Sequence, residues 1–374
     1  MFAQLQDKEN EMNKETKSSN VEKLSPATGV IDADDLLTKI EQYISSHAIL
    51  PPGASDAIAL WCLTTYSINS FRIFPRLFIT SPEKRCGKST VLDLIEAFSH
   101  KALITSNMTP ATIFRLIDAE QPTLIIDEAD TFVANGSSEL TGIINSGHAK
   151  SRAFVTRCVG DGHDVKSFST WSPMVLAAIG LLNSTIMDRS IVIPLRRKAK
   201  NETSQRIIGD LFSNAQHERE ELLKWSIDNS NAIENNQIEP HSCGNDRAVD
   251  NWVSLFRVAS LVSDNWFRRC EYAYQKLNQH GNEPELPTQL LADIREIFNM
   301  HADNKISSAD LVNKLIEDKD KPWCECKNGR AISPSYLAQM LKGYGIKSKT
   351  IRVGDKTPKG YELVQFTDSF DRYL

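Results

Sequence analysis

Leu77-Phe78-Ile79-Thr80-Ser81-Pro82-Glu83-Lys84-Arg85-Cys86-Gly87-Lys88-Ser89-Thr90 is the stretch that decides the fold. An apolar run ends in a polar loop, and the loop closes on Gly-Lys-Ser. Apolar residues then recur at helical spacing at Val91, Leu92, Ile95 and Phe98. Strand, loop and helix in that order surround a concavity with backbone N–H groups and a helix N-terminus, a setting suited to phosphate. The pattern assigns Lys88 to the β- and γ-phosphates of a nucleotide and the Ser89 hydroxyl to Mg²⁺. Pro82, Glu83, Lys84, Arg85, Cys86, Gly87 and Thr90 complete the cradle. One position departs from G-x-x-x-x-G-K-[ST]: Pro82 stands where the first glycine belongs, with a fixed φ and no N–H to donate. Taken alone, the loop also reads as a turn carrying an exposed lysine.

Pro122-Thr123-Leu124-Ile125-Ile126-Asp127-Glu128-Ala129-Asp130 resolves the ambiguity. A continuous apolar run suits a parallel strand covered on both faces. At its carboxyl end Asp127 is placed to hold Mg²⁺ through water, because that ion keeps much of its hydration shell. Glu128 is placed to polarise an attacking water as general base. The pair follows the Lys-Ser loop at a distance that leaves room for one strand and one helix. ATP with Mg²⁺ is the expected cofactor.

The chain of 374 residues carries a net charge of −5, so a nucleic-acid surface has to be local. Seven scattered cysteines and no secretory signal predict a reduced, cytoplasmic setting. Cys324 and Cys326 are too close for a zinc half-site and read as structural thiols. No apolar run reaches the roughly 18 residues of a membrane span, so a soluble protein is expected.

Residues 1–30 are polar and predict a disordered tail. Helices are expected over 32–50 and 55–70, before the phosphate loop. Ala102 to Ser106 reads as a strand, and Thr109-Pro110 as an N-cap with proline at the first helical position. Strand, helix, strand, helix, strand implies an α/β fold with a parallel sheet and helices on both faces. A polar loop (135–138) and a helix (140–145) follow. Next comes a hairpin over 153–170 turning at Asp161-Gly162-His163, then strands over 174–179 and 191–195. The core thus spans 31–200. Helical patterns at 207–225, 247–262 and 265–277 form a unit over 201–283, read as a helical lid. A Gly-Asn-Glu-Pro linker (281–284) opens the last unit, 284–374. Helical patterns near 286–300, 307–317 and 333–342 and strands over 349–353 and 361–366 give it a winged-helix-like shape.

Five runs carry a resemblance: Ser81-Pro82-Glu83-Lys84 with Gly87-Lys88; Phe114 to Glu120; Asp127-Glu128-Ala129-Asp130; Val159-Gly160-Asp161-Gly162; and Ile186-Met187-Asp188-Arg189-Ser190. Together they resemble an uncharacterised P-loop ATPase family of phages, plasmids and integrated elements, often fused to primase-like domains. The likeness runs from about residue 31 to the C-terminus, and in it Pro82 is a family trait. More broadly, the chain is similar to oligomeric AAA-type ATPases. That likeness implies a homo-oligomer in which Arg189, between the fourth and fifth core strands, reaches the nucleotide of a neighbour. The alternative is an ordinary ion pair between Asp188 and Arg189. Arg247, at a helix start in the lid, is the counterpart of a second nucleotide-facing arginine. The polar residue that the class carries at the tip of the fourth strand is missing; Ala177-Ala178-Ile179-Gly180 stands there, with Asn183 the nearest amide.

In the hairpin, Arg157, His163 and Lys166 are placed to meet DNA, unless the hairpin only extends the sheet. The segment 321–360 holds nine basic residues against two acidic ones, a local footprint for DNA or for a protein partner. The expected activity is ATP hydrolysis by a DNA-acting protein of replication, as helicase, loader or initiator. The rivals are an ATPase switch in phage defence or element maintenance and a slow nucleotide-binding regulator.

Overall fold

β1 (Arg76–Ser81) is buried along its whole length, as a strand covered on both faces should be. The computed structural model describes residues 24–374 except 107, 135–137, 160–163, 242–245, 279–285, 301–302, 320, 327–329 and 353–355. The expected tail therefore lies largely outside the described residues, as do the hairpin turn and the linker. Chain contacts form two compact units, Met1–His280 and Gly281–Leu374.

In the first unit α1 (Ala33–His47) and α2 (Ala54–Thr65) lead into β1. After it come α3 (Lys88–Phe98), β2 (Ala102–Thr105), α4 (Pro110–Glu120) and β3 (Thr123–Ile126). Thr109 caps α4 as its sequence predicts, accepting from the Thr112 N–H. α5 (Ala129–Ala134) and α6 (Ser138–Ser146) follow. The hairpin strands β4 (Phe154–Val159) and β5 (Asp164–Ser169) come next, then β6 (Met174–Ile179), α7 (Ser184–Met187) and β7 (Ser190–Pro194).

Five strands make one parallel sheet in the order β2-β3-β6-β1-β7. Alternation along each strand divides the apolar side chains between two faces. Leu77, Ile79, Ile125, Val175 and Ile193 share one core with α1, α2 and α3. Phe78, Leu124, Ile126, Leu176 and Ala178 share another with α4 and α6. The hairpin is a separate two-stranded sheet and adds nothing to the five-stranded one. It lies against the second core through Phe168.

The first helix expected after residue 201 starts later than its apolar pattern suggests. Gly209 takes φ +77, and the Asp210 side chain accepts from the Ser213 N–H, so a new helix begins there. α8 (Leu211–Asn214) and α9 (Gln216–Asn235) result, followed by α10 (Asp246–Val262) and α11 (Asp264–Asn278). Leu222, Trp252, Leu255 and Trp266 from these helices enter the first core, so the helices are welded to the α1–α3 face of the sheet.

The second unit runs α12 (Leu286–Met300), β8 (Lys305–Ser307), α13 (Ser308–Glu317), α14 (Pro334–Lys342), β9 (Lys349–Thr350), β10 (Lys359–Glu362) and α15 (Thr367–Tyr373). Its three short strands pair antiparallel in the order β8-β10-β9. The last expected strand stops at Glu362, because Glu362 and Gln365 form a reciprocal cap that turns 363–365 into a 3₁₀ turn. Trp323 anchors the core, its indole N–H donating to the buried Asp293 carboxylate at 2.6 Å, while Lys321 pairs with Asp293 at 2.8 Å and Glu296 at 2.7 Å.

Candidate functional site

The loop after β1 and the acids after β3 meet because β1 and β3 are parallel and end on the same side of the sheet. Lys84, Arg85, Cys86, Gly87, Lys88, Ser89, Thr90, Asp127 and Glu128 line one cleft of about 700 Å³. Gly87 turns the chain into α3 at φ +85, a conformation that L side chains rarely adopt. Lys88 Nζ donates to Ser81 Oγ at 2.8 Å, and Ser81 Oγ donates to the Glu83 carbonyl at 2.8 Å. The ammonium is thus held over the mouth of the loop. Pro82 is exposed, and Glu83 turns aside to pair with Arg197 at 3.4 Å.

The acids are also set by backbone. The Glu128 N–H donates to Asp127 Oδ1 at 2.8 Å, and Glu128 sits at φ +55. Arg85 has φ +68. Four described non-glycine residues have positive φ, and these two border the cleft, where strain serves to aim a side chain. Glu128 is exposed. Ser89 and Asp127 offer oxygen donors only, and no group of three or more His, Cys, Asp or Glu suited to a metal occurs among the described residues. Two protein oxygens fit Mg²⁺, which fills most of its shell with water and phosphate.

Asp93, one helical turn beyond Ser89, escaped the motif reading. Burial and then the charge of Asp127 raise its carboxyl above the usual range. Its spacing of four from Ser89 was the available signal. At the tip of β6, the apolar Ile179 lines the cleft. Asn183 is spent elsewhere: its side chain caps α7, accepting from the Ile186 N–H at 3.0 Å.

Arg189 and Arg247 are not in this cleft. Ser190 lies opposite Arg76, where β1 begins, whereas the Lys88 loop follows Ser81, where β1 ends. Five residue steps of about 3.3 Å put roughly 17 Å of strand between the two levels. There a second cleft, of about 820 Å³, is lined by Arg72, Lys150, Arg152, Arg189 and Arg247, with Asp250 as the one carboxylate among its described lining residues. Asp188 pairs with Arg247 at 3.5 Å, while Arg189 Nη1 donates to the Thr185 carbonyl at 2.7 Å. Burial and the nearby Arg247 lower the pKa of Arg189.

A buried frame holds the second cleft. His148 Nε2 and Asn251 Oδ1 are 2.8 Å apart, and Asn251 Nδ2 donates to the Asp188 carbonyl at 3.1 Å, tying α10 to the sheet. Arg76, fully buried, donates to the carbonyls of Ile144 and Ser172. Burial and then Arg189 push its pKa down to about 9. Gly147 is required here, since a side chain would meet the Arg76 guanidinium and the Thr170 carbonyl. Arg72, Lys150 and Arg152 were missed in the sequence because no spacing links them to Arg189.

Two of the hairpin's basic residues are engaged within the unit, though Lys166 is exposed and Arg157 partly so. Arg157 pairs with Glu139 at 2.7 Å and covers the Phe114 ring, and Lys166 covers Phe168. Both sit on the face turned toward α4 and α6. His163 lies outside the described residues. In the second unit, Lys349 pairs with Glu362 at 2.6 Å and Lys321 with Asp293, so two of the nine counted cations meet carboxylates beyond the counted segment.

Residues 194–373 match the family described as "Protein of unknown function (DUF3631)", a match that begins after both motifs of the Lys88 cleft. No curated protein matches the chain. Among solved structures, "The A form apo structure of NrS-1 C terminal region-CTR" is similar at 12% identity and a TM-score of 0.42, over 92% of this chain and 79% of that one. A second structure of that region, residues 305–718, is similar at 11% identity and a TM-score of 0.38, over 91% and 77%. Among the described residues no helix is long and apolar enough to cross a membrane.

Proposed function

We propose that the chain is an ATP-hydrolysing P-loop protein of the AAA type that acts on DNA in the replication of a mobile genetic element. One observation carries this reading: Lys88, Ser89, Asp127 and Glu128, from two separate stretches, converge on one cleft. Lys88 binds the β/γ-phosphates, and Ser89 and Asp127 hold Mg²⁺, which neutralises phosphate charge when bound. Glu128 takes a proton from the attacking water. We assign Arg189, at the opposite level of the sheet, to the nucleotide of a neighbouring subunit in a ring or filament; Arg247 lies beside it and not in the Lys88 cleft. The order α12, β8, α13, α14, β9, β10 is that of a winged helix, which we assign to DNA. The test is Mg²⁺-dependent ATP turnover by the full chain, alone and with single-stranded or duplex DNA. DNA-stimulated turnover is expected; absence of nucleotide binding would end the reading.

Ile179 at the tip of β6 favours a second reading, a nucleotide-dependent DNA-binding regulator with slow turnover. Tight ATP binding with turnover that DNA does not change would select it.

A further inference from the structure

We propose that His47 reads the base of the bound nucleotide, accepting a hydrogen bond from an exocyclic amino group and so selecting adenine over a 6-oxo purine. The proposal rests on the nucleotide reading of the Lys88 cleft. A second, smaller cavity of about 190 Å³ adjoins that cleft and shares Arg85, Cys86, Gly87 and Thr90 with it. Cavities of about 150 Å³ hold a benzene ring, so this one takes a somewhat larger flat heterocycle and leaves the phosphates to the neighbouring cleft. Ala48, Ile49 and Val91 give it apolar walls, and Arg196 supplies a guanidinium of the kind that stacks on aromatic faces.

The end of α1 fixes the chemistry of His47. Its Nδ1 lies 2.8 Å from the Tyr43 carbonyl and 3.0 Å from Ser46 Oγ, whose own proton goes to that carbonyl at 2.9 Å, so both oxygens are placed to accept from an Nδ1–H. In that tautomer the lone pair lies on Nε2. Among the described residues Nε2 has no partner, and the ring borders the cavity. Stacking on Tyr43, with centroids 4.1 Å apart, holds the ring in place. A fixed acceptor beside a base-sized cavity favours a base that presents N–H there and opposes one that presents a carbonyl.

The experiment compares ATP with ITP, which differs in carrying a 6-oxo group, by titration calorimetry of the full chain. The wild type is expected to prefer ATP by about tenfold or more, because an unmatched buried polar group is costly. His47→Phe keeps the stacked ring and removes the lone pair; ATP should weaken to the level of ITP while ITP stays unchanged. His47→Gln, which restores an acceptor, should recover part of the preference, which a merely structural role for His47 would not produce. An ATP:ITP ratio equal in wild type and His47→Phe, with both nucleotides still bound through Lys88, would overturn the proposal alone. If neither nucleotide binds the wild type, or Lys88→Ala leaves binding unchanged, the nucleotide site itself fails and takes the base reading with it.

Discussion

The Lys88 cleft and the Arg189 cleft lie at opposite levels of one parallel sheet, and they differ in charge. The first mixes cations with Asp127, Glu128 and Asp130, so it can hold phosphate, metal and water together. The second gathers five cations among its described lining residues, with Asp250 beside them and Asp188 pairing with Arg247. Like charges so crowded repel unless an anion joins them. On the proposed function, the difference makes each cleft half a site: the first would supply the phosphate cradle and the base, the second the positive charge that would stabilise a phosphoryl transition state. Strand length keeps the two clefts apart within one chain, so the proposal requires them to meet between chains.

The largest effects are expected in the first cleft. Lys88→Ala should lower ATP affinity by about a hundredfold or more, since it removes charge-assisted bonds to the phosphates. Glu128→Gln should keep binding and lower turnover by about 10² to 10⁴. Equal turnover in wild type and Glu128→Gln would remove that residue from the chemistry. In the second cleft, Arg189→Ala should bind nucleotide normally and lose about 10³ in turnover. Arg247→Ala should cost less, because Arg247 is engaged with Asp188.

Much of this contrast was legible in the sequence, and for physical reasons. Continuous apolar runs mark the buried strands, and the N-cap with proline at Thr109-Pro110 marks α4. The Lys88 cleft was legible because its residues sit at the carboxyl ends of two strands in fixed local patterns. The second cleft was not: Arg72, the Lys150–Arg152 turn, Arg189 and Arg247 come from four separate segments, and only the fold brings them together. The fold depends on which strands pair, which alternation along one strand does not encode. α5 is too short to show a period, and the Gly209-Asp210 break overrode an apolar pattern that looked continuous.

A smaller effect concerns the frame of the second cleft. Burial, outweighing the Asn251 bond, pushes His148 down to about 4 from 6.5, and burial also pushes His100 down to about 4. The unfolded chain takes up these protons below about 6.5, the folded chain only near 4. The stability is therefore present in full above 6.5 and is lost as the pH falls toward 4. At about 1.4 kcal/mol per pKa unit, the loss is of order 3 kcal/mol per histidine. Denaturant unfolding at pH 7.5 and pH 5 should show a smaller loss for His148→Gln than for wild type. Equal pH dependence would mean that His148 is not held neutral.

The smallest effect is expected in the second unit. Neutralising Lys356 and Lys359 should reduce the salt dependence of duplex binding by up to about two units of log–log slope, with little change in sequence preference. Anisotropy of labelled duplex at several salt concentrations measures it. Binding that does not vary with salt would make this unit a protein-contact module.

Mixing two inactive variants tests the division of the site between chains most directly. Arg189→Ala keeps the Lys88 cleft and lacks the arginine; Lys88→Ala keeps the arginine and lacks the cradle. In mixtures that light scattering shows to contain both chains, ATP turnover should reappear, because the intact arginine of one completes the intact cleft of the other. No recovery at any mixing ratio would place Arg189 outside the neighbour's site and leave the two clefts unconnected.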